Sequence, residues 1–178
     1  MTEIKGKFIM LTKRLVEAYP GALDKADQQL FTSTGKHCDE LDPEGWYDTQ
    51  HYRNFISAYV EASPAKEEAM ITLGKNIYPT IKRTAGFPPE LITPMDYLQF
   101  ESRGYTENLR GPGVEPRVFT KNEKGHVIIR TKMLEQHCKV LEGVYMGIMK
   151  LAGVSNSKIE QKTCYMKGHD VCEFHITW

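Results

Sequence analysis

The chain has 178 residues and carries 23 Lys plus Arg against 23 Asp plus Glu, a formal net charge of zero, which removes the usual electrostatic case for a nucleic-acid or anionic-membrane partner. With 40% hydrophobic residues, 14 Gly and 9 Pro, it has the apolar material for a core and lacks the composition of a disordered chain. No apolar stretch approaches the roughly 18 residues of a bilayer span, and Glu3 and Lys7 break a signal-peptide pattern, so a cytoplasmic protein without a membrane partner is expected.

Ile4, Phe8, Leu11, Leu15 and Tyr19 recur at helical spacing and stop at Pro20-Gly21, which predicts a first amphipathic helix. A short second helix is predicted over Asp24 to Phe31, followed by a loop from Gly35 to Asp48 whose Leu41, Trp46 and Tyr47 dock on the body. Thr49 is the expected N-cap of a helix carrying Tyr52, Phe55, Ile56, Tyr59 and Val60. Ser63-Pro64 then starts another, through Met70, Leu73, Ile77 and Ile81, kinked at Pro79. Thr93-Pro94 gives a third start of this kind, ahead of Met95, Tyr97, Leu98 and Phe100.

Gly111-Pro112-Gly113 and Pro116 form the strongest break in the chain, and the periodicity changes from helical to alternating beyond it. A subdomain boundary is placed there, with a helical part over 1–110 and an α+β module over 111–178. Arg117 to Lys121 and His126 to Thr131 are expected to form a hairpin. A helix runs from Leu134 through Cys138, Leu141, Tyr145 and Ile148 to Gly153, and Gly143 and Gly147 on it permit a close helix approach. Lys158 to Tyr165 and Val171 to Trp178 then pair about Gly168. The fold class is α+β, mainly helical at the N-terminus, with a C-terminal antiparallel sheet packed on one long helix.

Four cysteines in a chain of this length do not suggest a disulfide-stapled scaffold. If the last hairpin is symmetric about Gly168, Cys164 faces Cys172, and Cys138 on the preceding helix faces the same core. Packing, a disulfide or a metal chelate all suit that arrangement, and three thiolates favour zinc in a closed structural site. A lone buried cysteine is most often a small hydrophobe, which is the reading for Cys38.

The stretch from Cys138 to Ile176, with Gly143 and the run TCYMKGHDVCEFHI, resembles the 4-vinyl reductase domain family, whose members end in a cysteine, seven residues, and a second cysteine followed by Phe. In sensor members of that family a helix cysteine and a glutamate before the hairpin complete a zinc site. The resemblance therefore implies Cys138, Cys164 and Cys172 as ligands. Glu160 is the nearest glutamate, one residue off the family position, which Gln161 occupies, and His137, His169 or water are alternative fourth ligands. The family is related in fold to heme-based nitric-oxide sensor domains and to vesicle-tethering subunits. Heme ligation in the sensors' manner is not expected, because Met95 to Leu109 has no His and HVIIR at His126 to Arg130 does not reproduce their Tyr-x-Ser-x-Arg motif.

His51, His126 and His175 form no recognisable metal pair, Gly111-x-Gly113 opens no phosphate-binding helix, and no serine sits in a nucleophile elbow. Tyr97, Phe100, Tyr105, Phe119 and Tyr145 cluster around the break and are the candidate lining of a cavity between helices and sheet. The resulting expectation is a non-catalytic sensing module with a structural zinc, heme not expected, a small apolar or aromatic ligand, a signalling partner protein and a homodimer. The alternatives are a tetrapyrrole-binding enzyme or carrier, and an interaction scaffold without ligand.

Overall fold

The computed structural model describes residues 1–132 and 137–178. Strand β1 (Glu3–Lys5) leads into α1 (Gly6–Leu15), followed by α2 (Pro20–Thr34), β2 (Trp46–Asp48), α3 (Thr49–Ala62), α4 (Glu67–Ala85) and α5 (Pro94–Asn108). After β3 (Leu109–Arg110) come β4 (Val118–Glu123), β5 (His126–Thr131), α6 (Cys138–Leu151), β6 (Lys158–Thr163) and β7 (Cys172–Thr177). The α+β class is as expected. The predicted start of the last helix at Leu134 lies outside the described residues.

Several boundaries move for local reasons. Ile4 is a strand residue rather than the first helical one, because β1 pairs antiparallel with both β2 and β3. The N-cap of α3 is Asp48, whose carboxylate accepts from the Gln50 N–H at 2.8 Å, and not Thr49. Ser63 closes a turn by accepting from the Ala65 N–H, and α4 begins only after Lys66, the one non-glycine residue with positive φ among those described. At α5 the expected Thr93 cap is present as a full capping box with Asp96.

The small sheet, ordered β2-β1-β3, fixes where α1 leaves and where α5 ends. Arg110 locks it by pairing with Glu3 at 2.7 Å and stacking over Trp46. The larger sheet is ordered β4-β5-β7-β6, all antiparallel, with Val127, Ile129, Phe174 and Ile176 buried on one face. Tyr145 of α6 meets Phe174 edge-on there. The other side of α6 lies against α4 almost backbone to backbone: a Cβ added at Gly143 would run into the Ile71 carbonyl, and one at Gly147 into that of Lys75. Gly74 makes the reciprocal approach to Val140. One hydrophobic core therefore runs through both halves of the chain, across the Gly111–Gly113 break.

Candidate functional site

A cavity of about 600 Å³ lies between α1, α4 and α5, in the size range of small-molecule and cofactor sites, roughly 300–1,000 Å³. Its apolar wall includes Phe8, Leu11, Ile77, Ile81, Phe100 and Val144. Phe8 and Leu11 belong to the α1 stripe whose period reads as ordinary core; half-buried, they face this space instead. Gly104 opens the α5 side, since among the described residues a Cβ there would meet only the Tyr78 hydroxyl, at 3.8 Å. Burial, with the Glu101 carboxylate adding to it, pushes the Tyr78 phenol well above its usual value, so it stays a neutral O–H. Tyr52 donates to Thr12 at 2.6 Å, because the Thr12 hydroxyl proton is committed to the Phe8 carbonyl.

Two charged groups are buried in the wall. Arg117 donates from Nε and Nη2 to Glu101 of α5, the shortest contact being 2.9 Å, and from Nη1 to the Thr131 hydroxyl at 2.6 Å. Its guanidinium lies 3.7 Å from the centre of the Tyr105 ring, and its own backbone N–H donates to Ser102. Arg14 and Arg103 also line the cavity from exposed positions on α1 and α5, and no carboxylate pairs with either of them among the described residues.

Of the five aromatic residues expected here, Phe100 and Tyr105 line the cavity. Tyr97 packs against Phe87, Phe119 pairs with Ile129 across the hairpin, and Tyr145 is enclosed against Phe174 in the sheet core. Sequence reasoning missed Tyr78, Glu101 and Arg117. A mid-helix glycine at 104 was the available signal, because it forgoes helix propensity unless space is needed there.

The second candidate site is the thiol cluster. The Cys138 sulfur is 3.1 Å from that of Cys172 and 3.4 Å from that of Cys164, and all three thiols are buried. The expected face-to-face hairpin is altered: a bulge between Gln161 and Thr163 shifts the register, and Tyr165–Lys167 forms a 3-10 turn after Cys164. Cys172 also accepts from the Tyr165 N–H at 3.2 Å. Donation from the Cys138 thiol, reinforced by that N–H, lowers the Cys172 thiol below its usual value. Cys138 is raised by the same contact and by burial. Three thiols so placed can ligate a soft metal ion or form a disulfide. Cys38 lies apart, its thiol pushed up to about 12 by burial.

Glu160 is not part of the cluster. It pairs in register with His175 on the outer face of the sheet and forms ion pairs with Lys158 at 2.6 Å and Lys162 at 3.1 Å, which hold its carboxyl down at about 2. Gln161 points inward instead, opposite Phe174, beside the thiol cluster, and its Nε2 is buried without a partner among the described residues. His137 caps α6 by accepting from the Lys139 N–H, and His169 donates to the Cys164 carbonyl.

Neither a family model nor a curated protein matches the sequence. Solved structures do. An oxygen-binding H-NOX domain related to soluble guanylate cyclases matches with a TM-score of 0.71 at 15% identity, covering 98% of this chain and 94% of that one. An H-NOX protein from K. algicida, solved as the unliganded Fe(II) form, gives 0.74 at 15% identity over 98% and 96%. A Cs H-NOX variant gives 0.73 at 14% identity, over 98% and 96%. This chain has the H-NOX fold. The expectation of a structural zinc with heme set aside is overturned by that similarity, which covers 98% of this chain with H-NOX proteins, among them ones described by their heme. The relation to heme sensor domains is supported at the level of fold, whereas nothing found supports the 4-vinyl reductase family.

The cavity walls can be compared with what a heme needs. A porphyrin ring would need apolar walls, and its carboxylates would need cations such as Arg14 and Arg103, the latter lying 6.0 Å over the Phe100 ring. No histidine or cysteine lines the cavity among the described residues, so iron would have to be met by a tyrosine hydroxyl or by the Met10 thioether. Among the described residues the lining therefore offers apolar walls and arginines, and no imidazole for an iron. Among the described residues no helix is long and apolar enough to cross a membrane.

Proposed function

We propose that this chain is a non-catalytic sensing domain that takes a tetrapyrrole, heme or a porphyrin, into the cavity between α1, α4 and α5 and signals to a partner protein. The observation that carries the reading is the cavity itself: about 600 Å³, walled by Phe8, Leu11, Ile77 and Phe100, with Arg14 and Arg103 at its margin, neither paired with a carboxylate among the described residues. A planar apolar ligand gains from leaving water, and its carboxylates gain charge-assisted hydrogen bonds from the two guanidinium groups. The fold shared with H-NOX domains supports the same reading.

The test is a fluorescence and absorbance titration with protoporphyrin IX and with its dimethyl ester, which lacks the carboxylates. The acid binds more tightly than the ester, and Arg14→Gln with Arg103→Gln removes that difference. Equal affinities for acid and ester in the unaltered protein refute the role given to the arginines. We further propose that Cys138, Cys164 and Cys172 ligate a soft metal ion, with Gln161 rather than Glu160 beside it. Metal analysis of the Glu160→Gln and Cys138→Ser proteins checks this: the metal content stays in the first and falls in the second.

A further inference from the structure

We infer that occupancy of the cavity controls access to the thiol cluster through Arg117, so that a bound ligand closes the cluster to solvent reagents. The inference rests on the cavity being a ligand site and concerns how that site is read out. Glu101 and Arg117 both line the cavity, and Arg117 is 4% exposed. On the far side, its Nη1 holds Thr131, the last residue of β5, at 2.6 Å. Thr131 lies directly across from Cys172, the first residue of β7, and the Cys172 sulfur is 3.1 Å from that of Cys138. A second connection runs through α6, which has Val144 in the cavity wall and Cys138 in the cluster.

A buried ion pair costs desolvation and is weak evidence of stability, yet its attraction depends steeply on the local dielectric. The Glu101–Arg117 pair, 6% and 1% exposed at the side chains, borders the cavity, so what fills the cavity sets the dielectric on that side of it. An occupant that expels water lowers the local dielectric and strengthens their attraction. Arg117 is then held more tightly in its fork between Glu101 and Thr131, and the end of β5 is clamped against Cys172. Reagents reach the thiols when this strand end opens, so a filled cavity slows them. By linkage, alkylating the thiols weakens ligand binding by the same factor.

The experiment measures alkylation of Cys138, Cys164 and Cys172 by a small maleimide, mapped by mass spectrometry, in the full chain after metal removal by a chelator. Saturating protoporphyrin IX slows modification about fivefold or more. Thr131→Val, compared at porphyrin concentrations that saturate it, abolishes the slowing. A ligand-free arm uses Gly104→Phe, or Gly104→Leu if the larger residue lowers the melting point, to fill the cavity from within. That filling slows alkylation alone but not when combined with Thr131→Val. Failure of porphyrin to bind refutes the sensing proposal, and the Gly104 arm still decides the coupling. Thiol rates indifferent to both porphyrin and cavity filling, or slowing that persists in Thr131→Val, overturn the inference.

Discussion

Two glycines in the middle of helices, Gly143 on α6 and Gly104 on α5, should respond to the same substitution with opposite signs. Replacing a helical glycine by alanine gains about 1 kcal/mol of helix propensity at either site. At Gly143 the new Cβ meets the Ile71 carbonyl and the Gly74 backbone, neither of which is the end of a flexible side chain, so α6 must move off α4. Overpacking of that kind costs typically 1–3 kcal/mol, and a backbone obstacle puts the cost near about 3. The net loss is about 2 kcal/mol, a fall in melting temperature of roughly 4–8 °C for a chain of this size. At Gly104 the only neighbour among the described residues is the Tyr78 hydroxyl at 3.8 Å, so Gly104→Ala keeps its propensity gain and raises the melting point by about 2–4 °C. Thermal unfolding of the two variants beside the unaltered protein decides the matter. A rise in both would refute the close helix contact at Gly143, and a fall in both the open space at Gly104.

Truncating Arg117 to Met leaves the Glu101 carboxylate buried without its partner and should cost about 3–5 kcal/mol by denaturant unfolding; a loss under about 1 kcal/mol would mean the pair is solvated. The Thr93 N–H and hydroxyl hold the Asp96 carboxyl below its usual value, so Asp96 stabilises the fold above the unfolded-state pKa near 3.8, and the gain is lost as pH falls through the lower folded value. The melting difference between Asp96→Asn and the unaltered protein should therefore be present at neutral pH and vanish in acid. Cys138→Ser and Cys172→Ser should each lower the melting point, whereas Glu160→Gln, with its side chain on the outer sheet face, should leave it within about 2 °C.

The elements with strong periodicity were legible: α3, α4, the Thr93-capped α5 and the two C-terminal hairpins follow from apolar spacing and start signals. What misled was partnership between distant segments. The strand at Glu3–Lys5 is only three residues long and exists because β2 and β3 lie on either side of it, a condition no local window contains. The three cysteines could be brought together from alternation alone, since Cys172 shares its face with Phe174 and Ile176. The bulge between Gln161 and Thr163 could not, and by interrupting the alternation it leaves Glu160 on the opposite face from Cys164 and Gln161 on the inner one. The cavity was the least legible feature, because a residue facing an empty space obeys the same apolar pattern as one facing a packed core. Phe100 and Tyr105 border the cavity, and Tyr145, read by the same reasoning, is sealed in the sheet core.

The central claim, that the space between α1, α4 and α5 receives a tetrapyrrole, is tested most directly by titrating the full chain and Gly104→Phe with hemin and protoporphyrin IX under identical conditions. The account predicts saturable binding of one ligand per chain in the unaltered protein and its loss in a Gly104→Phe protein that melts at the same temperature. Absence of saturable binding, or equal binding by the protein whose cavity has been filled, would contradict it.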